Sequence, residues 1–309
     1  MKNSIDFVKK GLAPNSPVDI YKFISIKDGR VQTNNGIFAM SAPIAMNDEV
    51  VPVGVDFMKA MERCEETTTM SILASGKLKI KSGKFSANIN CSTSIFPRIV
   101  PEGQSFDVSL NLGEELADLK AFSQEDNAHL WASGVLINGQ SAKATNNIVV
   151  VEKWLSQALP FKANIPVPTV KCLIDLKLEV QKILVSGYRI TFLFEGDKWL
   201  STSLIQAEWF DTEAMLNVES VQAEIDPALK EAAANLKAKN TLLELKDISI
   251  SDGTMTYELP SGNYSNQTFS GESLNAVLAV ATTIDLSGTG NTSIFYGKAL
   301  RGAITRRIT

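Results

Sequence analysis

In residues 82–97, SGKFSANINCSTSIFP, a turn is followed by alternating apolar and polar positions, and Phe96-Pro97 then leads away from regular pairing. Alternation of period two predicts a strand with one buried face. GKLKIK, just upstream, alternates in the same way, so the two runs read as a hairpin around Ser82-Gly83. A second hairpin is predicted in YRITFLFEGDKWLSTSLI around Gly196-Asp197, and TSIFYGKALRGAITRRI carries partial alternation to the end of the chain. Elsewhere the spacing changes to three and four. Phe57, Met58 and Met61 in VPVGVDFMKAMERC mark one buried helical face. So do Val170, Leu173 and Ile174 in IPVPTVKCLIDLKL, and Leu274, Val277, Leu278 and Ala281 in SGESLNAVLAVATT. Further helices are predicted in SIDFVKKGL, GEELADLKAFSQ and DPALKEAAANLKAKN, the last with Asp226 as N-cap and Pro227 at the first helical position.

These elements recur. DGRVQTNNGIFAMSAPI (28–44), NGQSAKATNNIVVVEKW (138–154) and, more weakly, DGTMTYELPSGNYSNQTF (252–269) each open on an Asp-Gly or Asn-Gly turn signal and continue into β-prone sequence. Each is followed by one of the three apolar-faced helices and then by strands. The repeating unit is helix, strands, helix, strands over about 100 residues, an ordinary domain size. The fold class expected is therefore α+β, with domains at 1–100, 101–217 and 218–309.

Composition narrows the chemistry. A chain of 309 residues exceeds what one core usually serves, and 44% hydrophobic with 21% charged residues is ordinary for folded protein. Cys64, Cys91 and Cys172 are odd in number and widely spaced, and there is a single histidine, which points to a reducing compartment and away from a metal site. MKNSIDFVKKGLA is interrupted by Asp6, Lys9 and Lys10, and SLNAVLAVATTIDL is too short for a comfortable membrane span, so a cytoplasmic location without membrane contact is expected. The sequons at Asn263, Asn266 and Asn291 then read as chance matches. The net charge of −4 speaks against coating DNA by bulk electrostatics but leaves room for a local basic surface. No P-loop, G-x-S-x-G or metal-ligand cluster is present, SGTGNTS lacks dinucleotide-binding spacing, and His129 in NAHLWASG stands alone. No enzyme and no cofactor are expected.

The order of the three units, with GKLKIKSGKFSANIN and its trailing Phe-Pro, ATNN, IPVPTVKCLIDL and YRITFLFEGDKWLSTSLIQAEWFD, resembles the sliding clamp of DNA replication, of the bacterial polymerase β-subunit type. In that family an Ile-Pro opens a helix, paired strands follow, and an SRLIEG-FPD-like strand leads into the next domain. STSLIQAEWFD occupies that slot. The resemblance covers nearly the whole chain and is one of pattern and spacing. It implies three similar clamp-type domains, each with antiparallel sheets outside and two helices facing a central channel. It further implies a head-to-tail homodimer ring around double-stranded DNA, and as partners a replicative DNA polymerase and a clamp loader that supplies the ATP hydrolysis. The short chain suggests a compact phage or prophage version, which would work in the host cytoplasm.

Under this resemblance Lys9, Lys10, Lys59, Arg63, Lys120, Lys171, Lys177, Lys230 and Lys237 are candidates to face DNA. Flexible ammonium groups attract phosphates without reading bases, which suits movement along any sequence. Lysine opposite an apolar stripe is also the ordinary solvated face of a helix, and the three-unit pattern is what favours the DNA-facing reading of the set. A partner-peptide pocket between the second and third domains is expected from Thr145, Asn146, Val149 and Val150 on one wall, Phe210 and Met215 at the crossing, and Ile304, Arg306 and Ile308 at the C-terminal end. There the chain departs from the family: AITRRIT stands where a Met-Pro-Met-Arg-Leu-like segment is usual, which puts charge in place of apolar lining. For the valines, burial in a strand is the competing reading. Phe85, Ile89 and Leu236 are candidates for the dimer interface, with intradomain core as the alternative. A β-rich structural or assembly oligomer, such as a virion component with no DNA channel, also predicts repeats. Basic residues inside a closed ring would distinguish the clamp from it.

Overall fold

The structure, a computed structural model, describes residues 2–65, 67–236, 241–260, 262, 264–288 and 290–307. In chain order, α1 (Lys2–Lys9) is followed by β1 (Ser25–Lys27), β2 (Arg30–Asn34), β3 (Phe38–Pro43) and α2 (Gly54–Glu62). Then come β4 (Thr69–Ile72), β5 (Leu78–Ser82), β6 (Phe85–Ile89), β7 (Gln104–Leu110) and α3 (Leu112–Leu116). The long strands β8 (Gly134–Thr145) and β9 (Val149–Pro166) precede α4 (Val167–Leu176), β10 (Val180–Val185), β11 (Arg189–Phe194) and β12 (Lys198–Ser203). A short α5 (Glu213–Leu216) leads to β13 (Ala223–Glu224), α6 (Pro227–Asn235), β14 (Leu242–Asp247), β15 (Ser249–Ser251), β16 (Thr256–Glu258) and β17 (Tyr264–Ser270). The last elements are α7 (Gly271–Val280), β18 (Ala281–Ile284), β19 (Thr292–Gly297) and β20 (Leu300–Thr305).

The chain divides into two compact units. The first holds residues 1–114 and 168–204, the second 115–167 and 205–309. Unit 1 contains a seven-stranded antiparallel sheet ordered β1-β2-β3-β12-β11-β10-β7 and a small sheet β4-β5-β6. Unit 2 contains a six-stranded sheet β13-β18-β19-β20-β9-β8 and a four-stranded sheet β16-β15-β14-β17. Strands from the second predicted repeat thus enter both units: β12 pairs with β3 in one, and β9 pairs with β20 in the other.

Local chemistry explains most of these elements. Asp28 and Gly29, both at positive φ, close the β1–β2 hairpin, as a two-residue turn of this hand requires. Asp226 Oδ1 accepts a hydrogen bond from Ala228 N at 2.8 Å, and Pro227 opens α6. Phe57, Met58 and Met61 are buried on α2, as are Val170 and Leu173 on α4, and Leu274, Val277 and Leu278 on α7. Ala281 does not extend that last face, because α7 ends at Val280 and Ala281 begins β18.

Two further expectations need correction. Asn138-Gly139 is not a turn: it lies within β8, where the register against β9 shifts and Gly139 takes a positive φ, so the signal marks a bulge in a continuous strand. GEELADLKAFSQ is not one α-helix either. α3 stops at Leu116 and a 3-10 stretch covers Ala117–Phe122. The apolar spacing accounts for the change, since Leu112 and Leu116 are four apart, whereas Leu116, Leu119 and Phe122 are three apart and all fully buried.

Candidate functional site

In unit 1, α1 and α2 lie side by side with charged residues on their solvent side. Lys9, Lys10, Lys59 and Arg63 are all exposed there. Lys9 pairs with Glu62 at 2.6 Å, and the bond to Glu62 raises the lysine above its ordinary pKa. Lys10 Nζ donates to the Asp175 carbonyl at 3.4 Å. The Lys59 and Arg63 side chains make no hydrogen bond or ion pair among the described residues. Lys177, in the left-handed conformation just after α4, is exposed, and Lys171 on α4 is half-buried. In unit 2, Lys120 is exposed, whereas Lys230 is half-buried and spends its ammonium on the Ala281 carbonyl at 3.0 Å. Lys237 and Ile308 lie outside the described residues. The exposed side chains on α6 and α7 are acidic or neutral, Glu231 and Glu272 among them, so the exposed cations stand at α1 and α2 instead, and Lys59 and Arg63 at α2 are the ones without a partner among the described residues.

The expected peptide-pocket residues fall into several environments of unit 2. Thr145 and Asn146 build the β8–β9 turn. Asn146 Oδ1 accepts from Ile148 N and Val149 N at 3.1 and 2.8 Å, and Thr145 Oγ1 donates to the Val149 carbonyl at 2.7 Å. Val150, Ala303 and Ile294 then stand opposite one another across β9, β20 and β19. Leu216 of α5 covers this row and Met215 packs at its margin. Val149 and Ile304 form the neighbouring pair, both fully buried. Arg306 turns inward: its guanidinium donates to Ser293 Oγ at 2.8 Å, to the Gly290 carbonyl at 2.9 Å and to the Asp285 carbonyl at 3.4 Å. Burial holds its pKa below the ordinary arginine value, with Asp285 opposing. The charge that the sequence placed in the pocket lining therefore serves to anchor the C-terminal strand. Phe210 sits apart from the valine row, its ring 4.9 Å from Trp131, which also meets Trp209 at 5.2 Å and His129 at 5.6 Å.

Beside the valine row lies an ionic network that sequence reasoning missed. Arg301 faces Glu152 across β20 and β9, and Lys143 faces Glu152 across β8 and β9. Arg301 Nε donates to Glu152 Oε2 at 2.8 Å, and its Nη1 donates to Asn217 Oδ1 at 2.8 Å. Lys143 Nζ lies 3.4 Å from Glu152 and 3.1 Å from Glu213, and donates to Thr212 Oγ1 at 3.0 Å. Arg301 also reaches Glu213 at 2.9 Å, so Glu213 ties α5 to both β8 and β20. Bonds from Lys143 and Arg301 hold the Glu213 carboxyl below the usual carboxylate range. Burial opposes the Arg301 charge, but Glu152 and Glu213 outweigh it and raise its pKa. A sequence signal did exist: Glu152 interrupts the apolar run IVVVEKW, and a buried acid there needs a partner.

A cavity of about 270 Å³ lies elsewhere in unit 2, lined by Ile225, Leu229, Tyr264, Ile284 and Leu286, and none of the expected pocket residues borders it. Of the expected interface residues, Ile89 and Leu236 are buried within the chain itself and Phe85 is partly exposed. Among the described residues no group of three His, Cys, Asp or Glu could hold a metal ion, and burial pushes the Cys172 thiol up to about 12. Among the described residues no helix is long and apolar enough to cross a membrane.

No family model matches the sequence, and neither does any curated protein. Solved structures do match, over nearly their whole length. The beta subunit of DNA polymerase from Streptococcus pyogenes superposes with a TM-score of 0.82 at 16% identity, covering 100% of this chain and 97% of that one. The DNA polymerase sliding clamp from Bacillus subtilis gives 0.81 at 14% identity, with 100% and 97% covered. The beta clamp of Helicobacter pylori bound to a DNA ligase peptide gives 0.79 at 13% identity, with 99% and 97% covered. The chain therefore has the sliding-clamp fold, and within that class its likeness is to the beta subunits of DNA polymerase III.

Proposed function

We propose that this protein is a DNA sliding clamp, a non-enzymatic processivity factor that encircles duplex DNA without sequence specificity and tethers a replicative polymerase. The observation that carries this reading is the end-to-end match to whole clamp chains, TM-score 0.82 with 97% of the matched chain covered. The competing reading as a β-rich assembly oligomer draws no support from those matches. The three domains would be 1–100, 101–217 and 218–309, and two chains head to tail would make a closed ring, since a heterologous contact closes when its rotation does. The cations of α1 and α2, Lys59 and Arg63 first, would face the phosphates from a channel. A loader would open the ring, and the site of work would be the cytoplasm.

A partner peptide would dock in unit 2 beside the valine row, with Met215 at its edge and the half-buried Trp131 and the exposed Phe210 as aromatic contacts; the Helicobacter pylori clamp was solved bound to a DNA ligase peptide. The test is topological. A linear duplex is ligated into a circle in the presence of the protein and washed at high salt, which removes contacts held only by charge. The protein is expected to stay on the circle and to leave when the circle is cut. Equal retention on linear and circular DNA would overturn the reading.

A further inference from the structure

A second cavity, of about 320 Å³, lies in unit 1, where the β4–β5 turn, residues 49–51 and the stretch 91–98 that follows β6 come together. None of the expected DNA-facing, pocket or interface residues borders it. Its apolar lining consists of Val50, Val51 and Phe96, all buried, and of Ile72 and Ile95 at the rim, 43% and 95% exposed. Two isoleucines in water at the mouth of one cavity are apolar surface that the chain itself does not cover.

The polar lining is mainly a set of donors. Arg98 has five N–H groups to place. Its Nη1 donates to Ser25 Oγ at 2.9 Å and its Nη2 to the Lys27 carbonyl at 3.5 Å, and it makes no ion pair among the described residues. The cations around it are matched: Lys27 pairs with Glu49 at 2.8 Å, and Arg30 pairs with Asp197. Burial holds Arg98 below the ordinary arginine pKa, with Asp28 and Glu49 opposing, so an anion in contact would relieve it. The hydroxyls of Thr93 and Ser94, which also line the cavity, make no hydrogen bond among the described residues. Burial raises the Cys91 thiol above its ordinary value, so no thiolate there repels an anion.

A guanidinium with unused donors beside two hydroxyls suits a carboxylate, and the isoleucines suit an apolar side chain next to it. Glu49 lines the same cavity, which disfavours a doubly charged phosphate more than a singly charged group turned toward Arg98. We propose that this cavity docks a partner protein through a segment in which Asp or Glu adjoins a large apolar residue, the carboxylate meeting Arg98 and the apolar side chain lying between Ile72 and Ile95. The site is separate from the valine row of unit 2 and does not depend on the ring reading. It gives the protein a second point of attachment, with a preference for acidic rather than neutral segments.

The test uses the isotope-labelled full chain and pools of acetylated tripeptide amides, Asp followed by two positions drawn from Leu, Ile, Phe and Val, with matching pools that begin with Asn. The Asp pools are expected to shift the amide signals of Gly76, Ser92 and Ile95, and to bind about tenfold more tightly than the Asn pools. Arg98→Gln is expected to erase that difference. Ile95→Ser, at a position too exposed to matter for folding, is expected to weaken both sets of pools about fivefold while retention on circular DNA stays unchanged. Absence of binding, equal binding of Asp and Asn pools, or shifts confined to other residues would overturn the site and leave the clamp reading standing. A preference for Asp that survives Arg98→Gln would overturn the role given to Arg98.

Discussion

The β3–β12 seam of unit 1 and the β9–β20 seam of unit 2 share a backbone register but not a chemistry. In the first, Met40 faces Leu200 and Ser41 faces Trp199, all buried and none ionised. In the second, a buried glutamate holds an arginine and a lysine while α5 closes over them. The difference teaches that register here is set by the Asn35 and Asn146 turn caps and by strand ends, because two unrelated sets of side chains satisfy the same pairing. Side chains are then free to tune how tightly each seam is held.

The comparison can be broken most severely at Glu152. Glu152→Gln leaves Lys143 and Arg301 without their buried counter-charge, and a cost of about 3–5 kcal/mol in unfolding free energy is expected from denaturant titration. A change below about 1 kcal/mol would mean that the network is decorative. The corresponding injury to the apolar seam is Leu200→Ala, expected to cost about 3 kcal/mol through lost burial and a residual cavity.

Acid sharpens the contrast. The Glu213 carboxyl is depressed in the folded protein, so its contribution is complete above the ordinary carboxylate pKa and is lost as pH falls through the lower folded value. Amide exchange in β20 should therefore accelerate below the usual carboxylate range relative to β12, whose pairs with β3 include no carboxylate. Parallel acceleration in both strands would contradict the assignment. The smallest effect expected is that of Glu213→Gln at neutral pH, under about 1 kcal/mol, because this side chain is 49% exposed and solvent screens its pairs.

Much of this fold was legible in the chain. The hairpins around Gly83 and Gly196, the apolar faces of α2, α4 and α7, and the Asp226-Pro227 start of α6 all follow from period and turn chemistry, which act over a few residues. Asn138-Gly139 misled because a dipeptide that suits a turn suits a bulge equally, and only the partner strand decides between them. The candidate site was less legible. Val150 and Met215 come from the valine row and its margin, but Lys143, Glu152, Glu213 and Arg301 are far apart in sequence and match no motif. Their meeting depends on strand register, as does the inward turn of Arg306, and register is a property of the sheet rather than of any short stretch.

The central claim is that the chain works as a closed ring. Solution mass measured together with low-resolution images of the particles tests it most directly. A dimer with an open hole wide enough for duplex DNA is the predicted result, and a monomer at high concentration, or a particle without a hole, would contradict it.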